Sequence, residues 1–408
     1  MKHLGDITKI SGFGVPPVDV VIGGSPCQNL SIAGKREGLA GEQSGLFLEQ
    51  IRLVKEMRNA DVQRGRTGQL IRPRYMVWEN VPGAFSSNRG EDFRAVLQET
   101  IRIAEPDAPD IPLPPKGRWP LADCWYGDGW SVAYRVFDAQ FWGVPQRRRR
   151  IALVADFGGH AAPEILFVRK SVCGDIAPGE APRERTPAGI KIGSGDAIAI
   201  RERAGRAGGG KGPLIQVERS GTLLIYDARG NGDRKTVCTI TGDHEGRVTD
   251  YTAIVMRKKN FGEYEKGIGT LTAGAGHGYT EHLAVDGLVR RLTPLECERV
   301  QGYPAGWTDI GPWVDSTGKR HKESRDTARY KALGNSIALP PWAWVLKRLC
   351  ACYERPATMA SLFDGIGGFP LLWERLNGWG SCLWASEIEE FPMAVTRRHF
   401  GEEVNCNR

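Results

Sequence analysis

Two side chains with reactive groups follow apolar runs that are typical of buried strands. Cys27 lies in Ser-Pro-Cys-Gln-Asn directly after residues 18–24, and a thiolate is the strongest nucleophile that a protein carries at neutral pH. Glu79 lies in Trp-Glu-Asn-Val-Pro at the end of residues 75–81, where apolar neighbours would raise its pKa and suit it to general acid catalysis. The alternatives are a buried core cysteine and a carboxylate that caps a helix or lies on the surface.

A run of four arginines supplies groups that could hold an anion. The run occupies residues 147–150, directly before a short apolar strand at residues 151–154. Because alternate residues of a strand share one face, Arg148 and Arg150 are predicted to lie together, where they could hold a phosphate or a base oxygen. The alternative is a solvated basic surface.

A glycine-rich turn, Ser-Leu-Phe-Asp-Gly-Ile-Gly-Gly-Phe, occupies residues 361–369. It lies between a predicted strand and a predicted helix, so a ligand could approach the backbone at a helix N-terminus. Pro370 stands where the dinucleotide fingerprint needs its third glycine, which disfavours NAD. Glu387 follows the next strand, where a carboxylate could hold a pair of ribose hydroxyls.

Alternating apolar runs and amphipathic stretches must position these side chains. Strands are predicted at residues 18–24, 75–81, 131–138, 151–154, 359–363 and 381–385, and helices at 46–57, 342–353 and 369–376. This alternation favours an α/β domain with a mostly parallel sheet. Ligands of such sheets bind outside the carboxyl ends of the strands, where Cys27 falls.

The middle of the chain differs from the two ends in composition and in the pattern of its apolar residues. Residues 171–212 are rich in Gly, Pro and Arg, and two similar segments, 238–255 and 269–285, predict a pair of β-rich hairpin units in a small separate domain. Since both ends of the chain show the alternating strand and helix pattern of an α/β domain, we expect one large domain built from both ends.

Composition limits the class of protein. With 408 residues, 41% hydrophobic and 25% charged, the chain is not disordered, collagen-like or a disulfide scaffold. A net charge of +7 hints at a polyanionic partner. Nine cysteines without Cys-x-x-Cys spacing support neither a disulfide framework nor a zinc site, so no metal and a cytoplasmic location are expected. The absence of a long apolar run predicts no membrane span.

Taken together, these motifs resemble the signatures of DNA (cytosine-5) methyltransferases. They are Phe-x-Gly-x-Gly-Gly (363–368), Pro-Cys-Gln (26–28), Glu-Asn-Val (79–81), Gln-x-Arg-x-Arg (146–150), Arg-Leu-Thr-Pro-Leu-Glu (291–296), Arg-Val-Gln-Gly-Tyr-Pro (299–304) and Gly-Asn-Ser (334–336). The resemblance implies a Rossmann-like, S-adenosylmethionine-dependent methyltransferase fold with a mixed, mostly parallel sheet and a smaller β-rich target-recognition domain. Residues 1–158 and 331–408 would form the catalytic domain, and residues 159–330 the recognition domain.

The order of the motifs departs from the family pattern. The glycine motif usually comes first, and here it comes last. Joining the last residues to the first would restore the usual order, which predicts a circularly permuted enzyme whose chain ends meet. The alternative is a gene-boundary or assembly artefact.

The resemblance implies a mechanism in which Cys27 adds to C6 of cytosine and makes C5 nucleophilic. Glu79 would protonate N3, Arg150 would contact the base oxygen, and Arg148 would support the site. The target base would leave the duplex. The glycine-rich stretch 31–45 would close over DNA, and the expected DNA contacts are Gln28, Ser31, Lys35 and Arg36.

The resemblance also implies a pocket for S-adenosylmethionine. Phe363 would face the adenine, Gly365 and Gly367 would lie under the methionine portion, and Glu387 would hold the ribose. The remaining cofactor contacts implied by the family are Asp6 at the adenine amino group, Ile7 and Ile388 beside it, and Pro26, Leu46 and Asn335.

The predicted function is therefore sequence-specific methylation of duplex DNA at cytosine C5 by a bacterial or phage enzyme. We expect a monomer in the cytoplasm, associated with the nucleoid, and any cognate restriction endonuclease would act separately. Two alternatives remain: a tRNA-type RNA cytosine-5 methyltransferase, and a DNA-binding relative without catalysis. The long central segment favours duplex DNA, because sequence reading needs base-edge contacts beyond the catalytic pocket.

Overall fold

The computed structural model describes residues 1–25, 45–167 and 292–401, together with the backbone of strands between residues 197 and 291. The strands are β1 (Lys2–His3), β2 (Val20–Gly23), β3 (Tyr75–Asn80), β4 (Ala122–Gly127), β5 (Trp130–Asp138), β6 (Arg149–Asp156), β7 (Ala197–Arg203), β8 (Gly212–Glu218), β9 (Leu223–Tyr226), β10 (Gly232–Lys235), β11 (Ile240–Thr241), β12 (Thr252–Lys259), β13 (Glu263–Lys266), β14 (Glu281–Val285), β15 (Leu288–Arg291), β16 (Trp313–Val314), β17 (Arg320–His321), β18 (Met359–Leu362) and β19 (Cys382–Ser386). The helices are α1 (Leu46–Gln63), α2 (Glu91–Ile101), α3 (Ala162–Leu166), α4 (Pro294–Gln301), α5 (Asp326–Asn335), α6 (Leu339–Cys350), α7 (Gly368–Asn377) and α8 (Glu390–Phe400).

An eight-stranded sheet in the order β1-β19-β18-β2-β3-β6-β5-β4 forms the framework of the molecule. The first five strands in this order, β1, β19, β18, β2 and β3, are parallel to their neighbours. Strand β6 is antiparallel to both β3 and β5. The sheet is therefore mixed and mostly parallel. Each strand predicted from an apolar run is present in it, so the predicted fold class is confirmed.

Apolar clusters cover both faces of this sheet. Along β2, Val20 and Ile22 lie in one cluster and Val21 lies in the other, because successive side chains of a strand point to opposite faces. Helices α1 and α2 cover the face of Val21, and helices α4 to α8 contribute to the cluster on the other face. Burial on both faces explains why the strands are continuous apolar runs.

The first and last strands of the sheet in chain order lie side by side. Strand β1 is parallel to β19, and the backbone N–H of Leu4 donates to the carbonyl oxygen of Ala385 at 2.8 Å. The amino group of Met1 donates to the carbonyl oxygen of Phe400 at 3.0 Å. The two ends of the described chain thus meet at one edge of the sheet, as the motif order requires; circular permutation itself stays a prediction.

The central segment forms antiparallel strands. Strand β11 pairs with β12, which is the hairpin predicted in the first of the two similar segments, and β12 also pairs with β14. Residues 269–272, the predicted first strand of the second segment, lie outside the described residues. The division into domains stays a prediction. However, residues 292–330, which that division groups with the recognition segment, contribute Leu292 and Trp307 to an apolar cluster of the main sheet.

Among the helices that the structure describes, none is long and apolar enough to cross a membrane.

Candidate functional site

The carboxyl ends of four adjacent strands meet at one edge of the sheet. Leu362 at the end of β18 lies beside Gly23 of β2 and Ser386 of β19, and Gly23 lies beside Trp78 of β3. Glu79 is the last but one residue of β3, and the glycine turn and Glu387 follow β18 and β19. Cys27 follows β2 in the sequence but lies outside the described residues. Parallel pairing therefore brings motifs from distant parts of the chain to one edge, where ligands of open α/β sheets bind.

Glu79 and Arg150 form an ion pair at this edge. The Nε atom of Arg150 lies 2.8 Å from Oε1 of Glu79, and the two side chains are 14% and 13% exposed. They come from the antiparallel strands β3 and β6, where Glu79 is opposite Ala152. The sequence indicated only the apolar neighbours of this carboxylate, whereas the structure adds a guanidinium from the neighbouring strand.

Glu79 also lies against the chain that leads toward Cys27. A Cβ atom added to Gly24 would come within 2.8 Å of Oε2 of Glu79. The indole N–H of Trp78 donates to Oγ of Ser25 at 3.0 Å, and the side-chain amide of Asn80 donates to the carbonyl oxygen of Ser25 at 3.3 Å. Both neighbours of Glu79 in the chain thus anchor residue 25, two residues before the predicted nucleophile. The sequence motif contained Trp78 and Asn80, but only the structure shows what they hold.

Six predicted site residues lie outside the part of the chain that the structure describes. They are Pro26, Cys27, Gln28, Ser31, Lys35 and Arg36.

Arg148 and Arg150, predicted to act together, bind different partners. Arg148 is 2% exposed and lies just before β6 begins. Its Nη2 atom donates to the carbonyl oxygen of Gly334 at 3.0 Å and to that of Ser336. Strand alternation predicted a shared face, but the contact that fixes Arg148 comes from a segment 186 residues away. Arg148 thus binds the backbone of the Gly-Asn-Ser segment.

The glycine turn has the open backbone that its residue types favour. Phe363, Gly365 and Gly367 have φ angles of 54°, 57° and 77°, and no atom lies within 4 Å of the position of a Cβ on Gly365. Oε2 of Glu387 accepts a hydrogen bond from the backbone N–H of Gly365 at 2.7 Å. Glu387 thus positions the turn directly, while the Phe363 ring is half-buried beside it.

Residues from the beginning of the chain reach the same edge. The hydroxyl of Ser386 donates to the carbonyl oxygen of Gly5 at 2.7 Å. Asp6 and Glu387, the next residues in each segment, therefore both follow strands that end at this edge of the sheet. Asp6 accepts hydrogen bonds from the backbone N–H and the hydroxyl of Thr8, and the first of these bonds is the main reason its pKa is lowered. The resemblance implied that these two acids belong to one cofactor pocket, and this stays a prediction.

The other predicted cofactor contacts differ in burial. Ile7 is buried, Leu46 at the start of α1 is half-buried, and Asn335 and Ile388 are exposed. These positions are compatible with walls and rims of a pocket, and the contacts themselves stay predictions.

Sequence reasoning missed Asp364, which lies within the glycine turn. Its side chain is 5% exposed, and one carboxyl oxygen accepts a hydrogen bond from the Ser361 hydroxyl at 2.5 Å. Burial raises the pKa of Asp364 to about 8; the Ser361 hydrogen bond opposes the rise and the nearby charge of Glu387 adds to it. An acidic residue in a glycine turn is expected to lie on the surface, so nothing in the sequence indicated that Asp364 is buried.

Replacement of Asp364 by asparagine is expected to change how stability depends on pH. Because the folded pKa is raised, the folded state holds a proton that the unfolded state releases, so stability falls as pH rises from about 4 to about 8. The slope from this group is at most about 1.4 kcal/mol per pH unit. Urea unfolding of wild type and Asp364→Asn between pH 5 and 8 measures it, and equal slopes would contradict the assignment.

The fold and the arrangement of the site residues can be compared with those of known protein families. A doubly wound, mostly parallel α/β sheet carries a glycine turn, an acid after the neighbouring strand and a carboxylate–guanidinium pair at the carboxyl ends of its strands. Residues 1–103 match the family model of the C-5 cytosine-specific DNA methylases. This match agrees with the resemblance seen in the motifs.

Curated relatives match larger parts of the chain. A DNA N-6-adenine-methyltransferase of Escherichia phage P1 is 30% identical over 86% of this chain and 55% of its own length. The type II methyltransferase M.BsuFI of Bacillus subtilis is 32% identical over 47% of this chain and 37% of its own length. The type II methyltransferase M2.BsuMI of Bacillus subtilis strain 168 is 24% identical over 96% of this chain and 72% of its own length. The chain thus spans about half of the first relative and about a third of the second.

Proposed function

We propose that this protein transfers a methyl group to C5 of a cytosine in duplex DNA. The observation that carries the proposal is the Glu79–Arg150 ion pair, which lies against the segment that leads to Cys27 at the sheet edge shared with the glycine turn. A nucleophile, an acid and a cation are the groups needed to activate a pyrimidine ring, and Glu79 and Arg150 supply the last two of them at this edge. The match of residues 1–103 to the family model of the C-5 cytosine-specific DNA methylases supports the same chemistry.

In the proposed reaction, the Cys27 thiolate adds to C6 of the cytosine. Electron density moves from the C5–C6 double bond into the ring, and Glu79 holds N3 and delivers a proton there. Arg150 keeps the Glu79 carboxylate in position and contacts the base oxygen. After C5 has gained its methyl group, loss of the C5 proton restores the double bond and releases Cys27. Because stacked neighbours block both faces of the ring, the base must leave the helix first.

The residues at the edge fit S-adenosylmethionine. Bound there, S-adenosylmethionine would supply an electrophilic methyl group. Phe363 offers a half-buried aromatic surface, Gly365 leaves its backbone approachable, and Glu387 is a carboxylate beside the turn. Glu387 already accepts three backbone N–H bonds, from Gly365, Ile388 and Glu389. A carboxylate has about four acceptor positions, which leaves room for one ribose hydroxyl.

The proposal extends to the roles of the rest of the chain. Strands β7 to β15 would read the target sequence, and residues 28–36 would contact DNA beside Cys27. The protein would act as a monomer, separately from any cognate endonuclease. The pairing of β1 with β19 supports a circularly permuted order of motifs. The intact mass of the native protein tests this order, and a mass far from 44.9 kDa would contradict it.

A second candidate function is methylation of adenine at N6. It is favoured by the phage P1 relative, whose name states that activity and which matches 86% of this chain. An exocyclic amine needs no covalent activation of the ring, so this reaction would leave Cys27 without a role. The intact nucleophile, acid and arginine motifs therefore favour cytosine C5.

Analysis of DNA from cells that express the chain separates the two reactions. Hydrolysis to nucleosides followed by mass spectrometry should show 5-methylcytosine, and bisulfite sequencing should then give its sequence context. N6-methyladenine without 5-methylcytosine would support the second candidate, and label transferred only to tRNA would replace DNA by RNA as substrate. No methylated nucleoside in either nucleic acid, with the protein folded, would support a relative without catalysis.

A further inference from the structure

The C-terminal end of α5 is held by side chains from two other motifs. The last four carbonyl groups of a helix lack partners within the helix. Here the carbonyl oxygen of Leu333 accepts from the Gln301 side chain at 2.8 Å, and that of Gly334 accepts from Arg148. Arg148 also donates to the carbonyl oxygen of Ser336, beyond the helix end. A cation at this position also interacts favourably with the negative end of the helix dipole.

Tyr303 connects the same segment to the glycine turn. Its hydroxyl shares a hydrogen bond with Oγ of Ser336, and the side chain is buried. The hydroxyl also packs directly against Gly368 at the start of α7, where any Cβ atom would overlap it. The segment just after this motif holds the turn a second time, because the indole N–H of Trp307 donates to the carbonyl oxygen of Ile366 at 2.8 Å.

Asn335 is the exposed residue between these fixed points. Gly334 and Ser336 on either side of it are buried, and both have their carbonyl groups bound to Arg148. One guanidinium therefore holds the backbone on both sides of Asn335, since the peptide groups that follow Gly334 and Ser336 both accept from Arg148.

We propose that Arg148 and Tyr303 are positioning residues that lock the Asn335 segment to the glycine turn, and that Arg148 serves the cofactor side of the site and not the base. The proposal rests on the proposed function for the identity of the ligand, S-adenosylmethionine. Two arginines of one motif would thus have different roles. Arg150 pairs with Glu79 and would lie beside the base, and Arg148 would act through the backbone around Asn335.

The Tyr303 hydroxyl can be removed with little change in volume. Tyr303→Phe and Ser336→Ala are each expected to weaken binding of S-adenosylmethionine about fivefold, which is the effect of one buried hydrogen bond. The double variant should lose no more than either single variant, because both remove the same bond. Calorimetric titration in the absence of DNA measures the dissociation constant independently of catalysis.

Tyr134→Phe is the matched control. Its hydroxyl donates to the carbonyl oxygen of Pro120 at 3.0 Å, and the ring belongs to the apolar cluster on the other face of the sheet. Loss of this hydrogen bond should lower the melting temperature by an amount similar to Tyr303→Phe but leave the dissociation constant unchanged. Equal weakening by Tyr134→Phe, or no weakening by Tyr303→Phe, would overturn the proposal.

Conservative variants of the two arginines test the division of roles. Arg148→Lys should raise the KM for S-adenosylmethionine at least about tenfold, with kcat changed less, because a flexible lysine with a point-charge ammonium lacks the rigid planar guanidinium that holds Nη2 at the carbonyl oxygens of Gly334 and Ser336. Arg150→Lys should lower kcat and leave the affinity for S-adenosylmethionine within about twofold. The reverse pattern would refute the assignment. If wild type bound S-adenosylmethionine but methylated no cytosine, the proposed function would fail. The titrations would still test whether Arg148 and Tyr303 position the Asn335 segment for binding of S-adenosylmethionine.

Discussion

Cys27→Ala is expected to abolish transfer of methyl groups to cytosine. Carbon 5 of cytosine is a poor nucleophile, and without addition of a thiolate at C6 the ring has no route to an electron-rich C5. Removal of the nucleophile from a site that forms a covalent intermediate costs roughly 10⁴-fold or more in rate. The remaining groups, Glu79 and Arg150, polarise the base but form no bond to it.

Two measurements make this expectation specific. Transfer of tritium from labelled S-adenosylmethionine to duplex DNA reports turnover, and DNA that contains 5-fluorocytosine traps the covalent adduct, because fluorine at C5 cannot leave as a proton. Wild type should form an adduct that survives denaturing electrophoresis, and Cys27→Ala should form none. An adduct with Cys27→Ala would show that another residue is the nucleophile.

Cys124→Ala provides a matched control for the loss of a thiol. Cys124 is a free, half-exposed cysteine on β4, at the far edge of the sheet from β1. Its replacement should leave both turnover and adduct formation unchanged within about twofold. DNA affinity of Cys27→Ala should also stay near that of wild type, since the thiol contributes to bond formation more than to binding of the duplex.

Those parts of the fold that depend on local sequence could be predicted. Strands β2, β3 and β18 are buried on both faces, so they appear as uninterrupted apolar runs, and their positions agree with the prediction to within two residues. The glycine turn could be predicted because its residue types fit the positive φ angles it adopts. Helix α1 continues to Gln63, beyond the predicted end at residue 57, because no residue that breaks a helix interrupts it.

The features that depend on distant partners could not be predicted. Arg148 and Arg150 are identical in type and two residues apart, yet one is fixed by the end of α5 and the other by Glu79 on the neighbouring strand. Burial of Asp364 likewise depends on what packs over the turn. Strand periodicity assigns a side chain to a face, but the partner on that face is set by packing of segments far away in the chain.

Glu79→Gln is expected to lower kcat by roughly 10² to 10⁴, the range that a positioned general acid contributes. Glutamine keeps the size of the side chain and can still hydrogen-bond the base, but it cannot deliver a proton to N3. Charge that Cys27 pushes into the ring then accumulates without compensation. The change also removes the anionic partner of Arg150, whose Nε atom lies 2.8 Å from the carboxylate.

Glu56→Gln is the control, because Glu56 also forms an ion pair with an arginine, at 2.9 Å from Arg52 of the same helix α1. It should leave kcat within about twofold of wild type, because a half-exposed ion pair contributes little beyond local stability. Single-turnover rates on duplex DNA, with DNA affinity measured separately, distinguish catalysis from binding. A Glu79→Gln rate close to wild type, or an equal loss in Glu56→Gln, would remove Glu79 from the mechanism. A large loss confined to Glu79→Gln would show that the ion pair holds an acid in place for the base and does more than join β3 to β6.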